Sequence, residues 1–220
     1  MSTVQYQRQA GLLPPDILWN LPIAVAGVGA VGRQVVLQLC SAGARNLAFY
    51  DHDTVEESNI GPQGWRRDDI GVPKVEALLG DIERQQLFPA SDGATTAKGL
   101  HRRFPTESYE HPIVFCCVDN INTRGQLFRT STYNLFLDSR VAGDTVHVLS
   151  VSDPDSRDYY ESTLFDREEA FQATCTTRMS IHIANIAAGL LVQQFSKWLR
   201  ELPTDRHTVF NLLAMESYSK

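Results

Sequence analysis

The sequence is sparing with cysteine: Cys40, Cys116, Cys117 and Cys175 are its four thiols in 220 residues, and none forms a C-x-x-C pair. That excludes a disulfide framework, and without paired ligand spacing no structural zinc is expected, so the thiols are read as reduced. Positive charge is also short, with 20 Lys and Arg against 26 Asp and Glu for a net charge of -6. With no basic stripe to neutralise phosphates, a nucleic-acid partner is not expected. The amino terminus "MSTVQYQRQAGLLPPDILWN" lacks the charged start, apolar stretch and cleavage site of a signal peptide, so the protein is read as cytoplasmic. Met179 to Ser196 carry no acid, lysine or arginine, yet Ser180, His182, Asn185, Gln193, Gln194 and Ser196 interrupt them. A buried helix is expected there, and no membrane partner.

What is present is ordinary globular composition, with 43% hydrophobic and 21% charged residues, and a clear alternation of elements. Leu21 to Ala26 is a short apolar run, and in "GAVGRQVVLQLCSAG" Val31, Val35, Val36 and Leu39 recur at helical spacing up to Gly43. Asn46 to Tyr50 reads as a second strand closed by Asp51, which completes a βαβ unit. A helix beginning at Pro73, with Val75, Leu78, Leu79 and Ile82 on one face, and a weak strand from Thr95 to Leu100 follow. "PIVFCCVD" (112 to 119) is a continuous apolar run ended by an acid, the pattern of a central parallel strand, and a helix from Asn122 to Asn134 and a strand from Leu135 to Ser139 come next.

Beyond this point "DTVHVLSV" alternates polar and apolar residues, as an antiparallel strand does. Asp153 to Thr176 holds seven acids against two arginines and is read as a long loop, either simply solvated or serving as a lid or binding loop. A buried helix over Thr177 to Leu202 and a last strand "VFNLLAM" finish the chain. The expected fold is α/β: a Rossmann-like mixed sheet, parallel in its N-terminal part with antiparallel C-terminal strands and helices on both faces, as a single domain over 1-220 with 153-176 a long loop.

Gly27, Gly29 and Gly32 spell G-x-G-x-x-G between the first strand and the first long helix. Glycines there permit close approach of backbone to phosphate, and the helix amino terminus turns free N–H groups toward the anion. Asp51 lies 51 - 32 = 19 residues past the last glycine, where a carboxylate can accept hydrogen bonds from ribose hydroxyls. The fingerprint alone does not separate NAD from ATP. Asn59, Arg66, Arg67 and Lys74, with Asp119 ending the central strand, do favour ATP, because phosphate-activating chemistry needs cations and a carboxylate for magnesium.

With these motifs in order, the chain resembles the ThiF/MoeB/HesA family of ubiquitin-activating-enzyme-like adenylyltransferases. The likeness runs through "YQRQAGL", "GVGAVG", "YDHDTVEESNIGPQ", "DIGVPKVEAL" and "CCVDNINTRGQL", and more weakly to the late helix. It implies an ATP- and Mg2+-dependent enzyme that joins AMP to the C-terminal carboxylate of a small ubiquitin-fold carrier protein. By the same likeness Asp51 binds ribose with Asp53 beside it, Asn59 and Lys74 contact phosphates, and Asp119 holds magnesium. Arg8 matches an arginine that reaches into the neighbouring subunit's site, which implies a homodimer. Cys175, in "ATCTTRMS", resembles the thioester-forming cysteine of ubiquitin-activating relatives, against the alternative of an incidental thiol.

The chain departs from that family where relatives read N-L-x-R-Q and it reads Asn59-Ile60-Gly61-Pro62-Gln63, so proline replaces a phosphate-contacting arginine. Arg66 or Arg67 is the expected substitute. The paired zinc cysteines of many relatives are missing, and Arg140 stands where small residues are usual, at a position suited to an extra phosphate contact. Two alternatives stay open: a catalytically impaired nucleotide-binding scaffold or partner subunit, suggested by Pro62, and a NAD-dependent oxidoreductase, which would leave Arg8, Asn59, Lys74 and Asp119 without roles.

Overall fold

A computed structural model describes residues 3–85, 87, 96–105, 111–164 and 179–220. After a short 3-10 turn (Thr3–Tyr6) come α1 (Pro15–Leu18), β1 (Ile23–Ala26), α2 (Ala30–Ala42), β2 (Asn46–Asp51), α3 (Ile60–Gln63), α4 (Lys74–Arg84) and β3 (Thr96–His101). The second half holds β4 (Ile113–Cys116), α5 (Ile121–Thr130), β5 (Leu135–Ala142), β6 (Thr145–Val151), α6 (Pro154–Ser162), α7 (Ile181–Leu199), β7 (His207–Asn211) and β8 (Glu216–Ser219).

The strands form one sheet in the order β3-β2-β1-β4-β5-β6-β7-β8, parallel from β3 to β5 and antiparallel from β5 onward. β1 and β4 are buried at every position, which fits apolar strands covered on both faces. One face packs Val35, Val36 and Leu39 of α2, Leu78 of α4 and Leu191 and Phe195 of α7. The opposite face packs Leu127 and Phe128 of α5 against Phe136 of β5 and Tyr160 of α6. The expected mixed α/β sheet with helices on both faces is therefore what forms. From β1 the chain passes outward to β2 and β3, then returns to β4 on the other side of β1. That reversal leaves a crevice at the C-terminal ends of β1 and β4, where doubly wound sheets bind ligands.

Three differences from expectation change the chain's course, besides shifted ends such as α5 stopping at Thr130 rather than Asn134 and β5 running on to Ala142 rather than Ser139. The 153-176 segment is not all loop, because α6 occupies Pro154–Ser162: Asp153 accepts the Ser156 N–H at 2.8 Å, and Pro154 fits the first helical position, where no N–H is needed. The late helix ends at Leu199, with Glu201 in a left-handed conformation (φ 56°) just ahead of Pro203. "VFNLLAM" is not one strand but the end of β7 and a hairpin tip, because Asn211 accepts the Ala214 N–H at 3.1 Å and turns the chain into β8. No helix among the described residues is long and apolar enough to cross a membrane.

Candidate nucleotide site

The crevice between β1 and β4 is floored by the glycine turn. Gly27 has φ 85°, a conformation that side-chain-bearing residues avoid, and its N–H donates to the Tyr50 carbonyl at 2.8 Å. Gly32 packs so tightly that a Cβ there would stand 2.9 Å from the Gly27 carbonyl carbon and 3.0 Å from Cys117 Cβ. Gly29 instead caps α2 without any side-chain hydrogen bond, so the first N–H groups of α2 open into the crevice.

Asp51, at the end of β2, fastens this turn. Its Oδ2 accepts the Val28 N–H at 2.8 Å and its Oδ1 accepts the Asp53 N–H at 2.9 Å, which leaves further lone pairs for ribose hydroxyls. Lys74 is 6% exposed at the start of α4, and its Nζ donates to Asp53 Oδ2 at 3.0 Å. Burial pushes the Asp53 carboxyl up, but the Lys74 hydrogen bond and charge, aided by His52 and Arg103, hold it below the ordinary carboxylate value. Asp51, His52 and Asp53 bring possible ligand atoms within 4.8 Å of one another. Asp51 already accepts two backbone N–H groups and Asp53 is paired with Lys74, so this cluster reads as an anchor for the turn and the lysine.

Asn59 precedes α3 with its Oδ1 accepting the Glu56 N–H at 3.2 Å, while Nδ2 donates to Ser58 Oγ at 3.3 Å and keeps a second hydrogen. Pro62 sits in the first turn of α3, where its missing N–H would have had no helical partner, so it forfeits charge but no backbone bond. Arg66 pairs with Asp68 at 3.4 Å and Arg67 with Glu57 at 3.5 Å, both at the surface. Neither stands against Gly29; the atom nearest a side chain built there is Gln63 Nε2, at 4.0 Å. Sequence reasoning passed over Gln63, Trp65 and Arg33. The signals were Gln63, which keeps the final residue of the N-L-x-R-Q pattern, and Arg33, a charge directly after the last glycine of the turn.

Across the crevice, Asp119 follows β4 with its side chain exposed and in no ion pair among the described residues. Its backbone is held on both sides: the Cys117 N–H donates to the Ala26 carbonyl at 2.8 Å, and Asn120 Oδ1 caps α5 by accepting the Asn122 and Thr123 N–H groups at 2.9 and 3.1 Å. Arg124 donates to the Val118 carbonyl and to the fully buried Asp138. Asp138 also accepts Arg140 Nε at 2.9 Å and the Tyr160 hydroxyl at 2.9 Å. Arg140 lies within β5 and gives its other bonds to Thr163, so it braces the end of α6. It was singled out in the sequence only by its departure from the family pattern.

Arg8 is exposed on the amino-terminal segment, which packs at the C-terminal end of α2: Gln9 Nε2 donates to the Ala42 carbonyl at 2.6 Å, and Tyr6 abuts Gly43. Burial pushes the thiols of Cys40 and Cys117 up to about 12 and that of Cys116 to about 11, so these three are inert packing residues. Cys175 lies outside the described residues. A cavity of about 690 Å³ lined by Ile17, Ser152, Trp198, Leu202 and Thr204 opens at the opposite end of the sheet, where Val151 pairs with Phe136 near the start of β5. It plays no part in this site.

Residues 6–219 match the ThiF family. The chain is 34% identical over 129 residues to the adenylyltransferase and sulfurtransferase MOCS3 of Dictyostelium discoideum, covering 54% of this chain and 29% of that protein. It is 32% identical over 132 residues to the molybdopterin-synthase adenylyltransferase of Escherichia coli strain K12, covering 56% of this chain and 52% of that protein. The match thus spans about half or less of the length of these curated relatives. E. coli MccB, solved with ATP, has the same fold with a TM-score of 0.72 at 16% identity, covering 98% of this chain and 71% of that one.

Proposed function

The chain belongs to the ThiF family, and from that premise we propose that it is an ATP-dependent adenylyltransferase that activates the C-terminal carboxylate of a small ubiquitin-fold or sulfur-carrier protein. The observation that carries this is the grouping around one crevice of free α2 N–H groups, a lysine held in place by Asp53, and an Asp119 in no ion pair among the described residues. The NAD-binding alternative uses only the first of these.

In the proposed reaction a carrier carboxylate oxygen attacks the α-phosphorus of ATP. The bond from that phosphorus to the bridging oxygen breaks, leaving acyl-AMP and pyrophosphate. Negative charge builds on the phosphate oxygens, and Lys74, held by Asp53, and the α2 N–H groups are the proposed partners that stabilise it. Asn59 Nδ2 supplies a further donor, and Arg66 and Arg67, paired only at the surface, are free to swing toward the leaving group. Asp51 holds the ribose. Asp119 fits magnesium, because its exposed oxygen ligands are in no ion pair among the described residues; the ion would add charge neutralisation at the phosphates.

Arg8 lies beyond the far end of α2 from Gly29, and thirteen helical residues at about 1.5 Å each put roughly 20 Å between those ends. That separation from its own glycine turn supports action on another copy, in a homodimer with composite sites. Cys175 is the proposed nucleophile of a later step, in which its thiolate displaces AMP from the acyl-adenylate to give a thioester.

Exchange of labelled pyrophosphate into ATP tests the activity, with a panel of ubiquitin-fold carriers bearing free C-termini. Exchange is expected only with a carrier whose terminus is intact. ATP binding without exchange for any carrier would support the second reading, an inactive scaffold, which Pro62 favours. Binding NAD more tightly than ATP would overturn both.

A further inference from the structure

Beside Pro62 the structure offers a donor of another kind, whose meaning rests on the adenylation reading above. Gln63 closes α3, and its Oε1 lies 2.8 Å from Trp65 Nε1. An indole N–H can only donate, so the amide oxygen must face Trp65 and the amide NH2 must face away from it. That NH2 is the group 4.0 Å from where a Gly29 side chain would begin, beside the open N–H groups of α2. It has no hydrogen-bond partner among the described residues.

The indole that sets this orientation is itself fixed. Trp65 is 3% exposed, and the Arg33 guanidinium lies over its ring at 4.8 Å from the centroid. Arg33 is tied in turn to Asp81 of α4 at 2.6 Å. A chain of contacts from Asp81 through Arg33 and Trp65 therefore ends on an amide aimed into the phosphate turn.

We infer that Gln63 is a phosphate-binding residue and that Trp65 is its positioning residue, the pair supplying a neutral, preorganised donor where Pro62 has removed a charged one. The amide donates to a phosphate oxygen of ATP. It does not touch the ribose, which Asp51 holds from the β2 side.

Calorimetric titration of the full chain with ATP and, separately, with adenosine tests this. Gln63→Leu removes the donor. Trp65→Phe keeps an aromatic ring for Arg33 to lie over and removes the N–H that orients the amide, together with the pyrrole part of the indole. Each is expected to weaken ATP binding about tenfold, the range of one hydrogen bond to a charged group, with adenosine affinity unchanged. The double variant should bind ATP no more weakly than Gln63→Leu, since Trp65 acts through Gln63. Gln63→Ala serves if the leucine variant unfolds. ATP affinity equal to wild type in either glutamine variant overturns the role of Gln63. An unchanged Trp65→Phe, or one that loses ATP and adenosine equally, overturns the positioning role. Because the readout is nucleotide binding without a carrier, a failure of pyrophosphate exchange would sink the adenylation reading while leaving this result standing.

Discussion

Gly29 and Gly32 belong to the same motif, yet the structure predicts that alanine at each fails for a different reason. At Gly32 a Cβ would press into the Gly27 carbonyl, lying 2.9 Å from its carbon and 3.0 Å from Cys117 Cβ. Helix propensity alone would favour alanine there by about 1 kcal/mol. Overpacking typically costs about 1–3 kcal/mol, and here the obstacle is backbone, which cannot rotate away, so the upper end or beyond applies. The net loss is about 2 kcal/mol, or a fall in Tm of roughly 4–8 °C for a chain of this size. At Gly29 φ is -71°, and the nearest atom to a new Cβ is 4.0 Å away, so Gly29→Ala should stay within about 1 kcal/mol of wild type. Its methyl group would nonetheless occupy the space between Gln63 and the α2 N–H groups, and ATP affinity should fall at least about tenfold, as expected when close backbone approach is blocked. Thermal melts paired with ATP calorimetry separate the two. A Gly32→Ala protein as stable as wild type would refute the close packing at Gly32, and a Gly29→Ala protein that binds ATP normally would refute the placement of phosphate in this turn.

Removing the carboxylate from Asp138, as in Asp138→Leu, leaves Arg124 and Arg140 without their shared acceptor and should cost about 3–5 kcal/mol in urea unfolding; a loss under about 1 kcal/mol would show that the cluster does not brace the β4 and β5 ends. For His207, burial, with added repulsion from His147, Arg140 and Lys220, lowers the imidazole from 6.5 to about 4. Between those values the unfolded chain takes up a proton that the folded chain refuses, so stability falls as pH drops from 6.5 toward 4. Because the ring is partly exposed, the shift is discounted to about 1 kcal/mol by pH 5, and His207→Gln should flatten the pH 7 to pH 5 difference in urea midpoint by that amount. Parallel losses in the two proteins would exclude His207 as the source.

The sheet was legible because its central strands are fully buried and so read as unbroken apolar runs, and the glycine spacing with Asp51 located the crevice. α6 was missed because charge dominates its sequence and hides the Asp153-Pro154 start signal. β8 was missed because Asn211, an ordinary residue inside an apolar run, turns the chain by a side-chain bond that composition does not reveal. In the proposed site, Lys74, Asp51 and Asp119 were legible as chemical types at familiar spacings. The role of Gln63 was not, since it depends on which end of an amide faces an indole two residues away, a matter of orientation that no residue pattern encodes. Arg140 shows the converse. Its unusual identity was visible, but its partners, Asp138 and Thr163, are set by strand register and by the end of α6.

Arg8 allows the homodimer to be tested by function. The segment that carries it is pinned by Gln9 to the Ala42 carbonyl and by Tyr6 against Gly43, at the end of α2 that faces away from the glycine turn. Bringing Arg8 to its own Lys74 would mean breaking those contacts and crossing the roughly 20 Å length of α2. Action on a second copy needs no such movement. Arg8→Ala and Lys74→Met should therefore each abolish pyrophosphate exchange alone, while an equal mixture, allowed to exchange subunits, regains activity. Half the dimers would be mixed, and each would carry one site with an intact Lys74 from one subunit and an intact Arg8 from the other, giving about a quarter of wild-type activity. If Arg8 acted within its own chain, every chain in the mixture would hold one lesion and no activity would return.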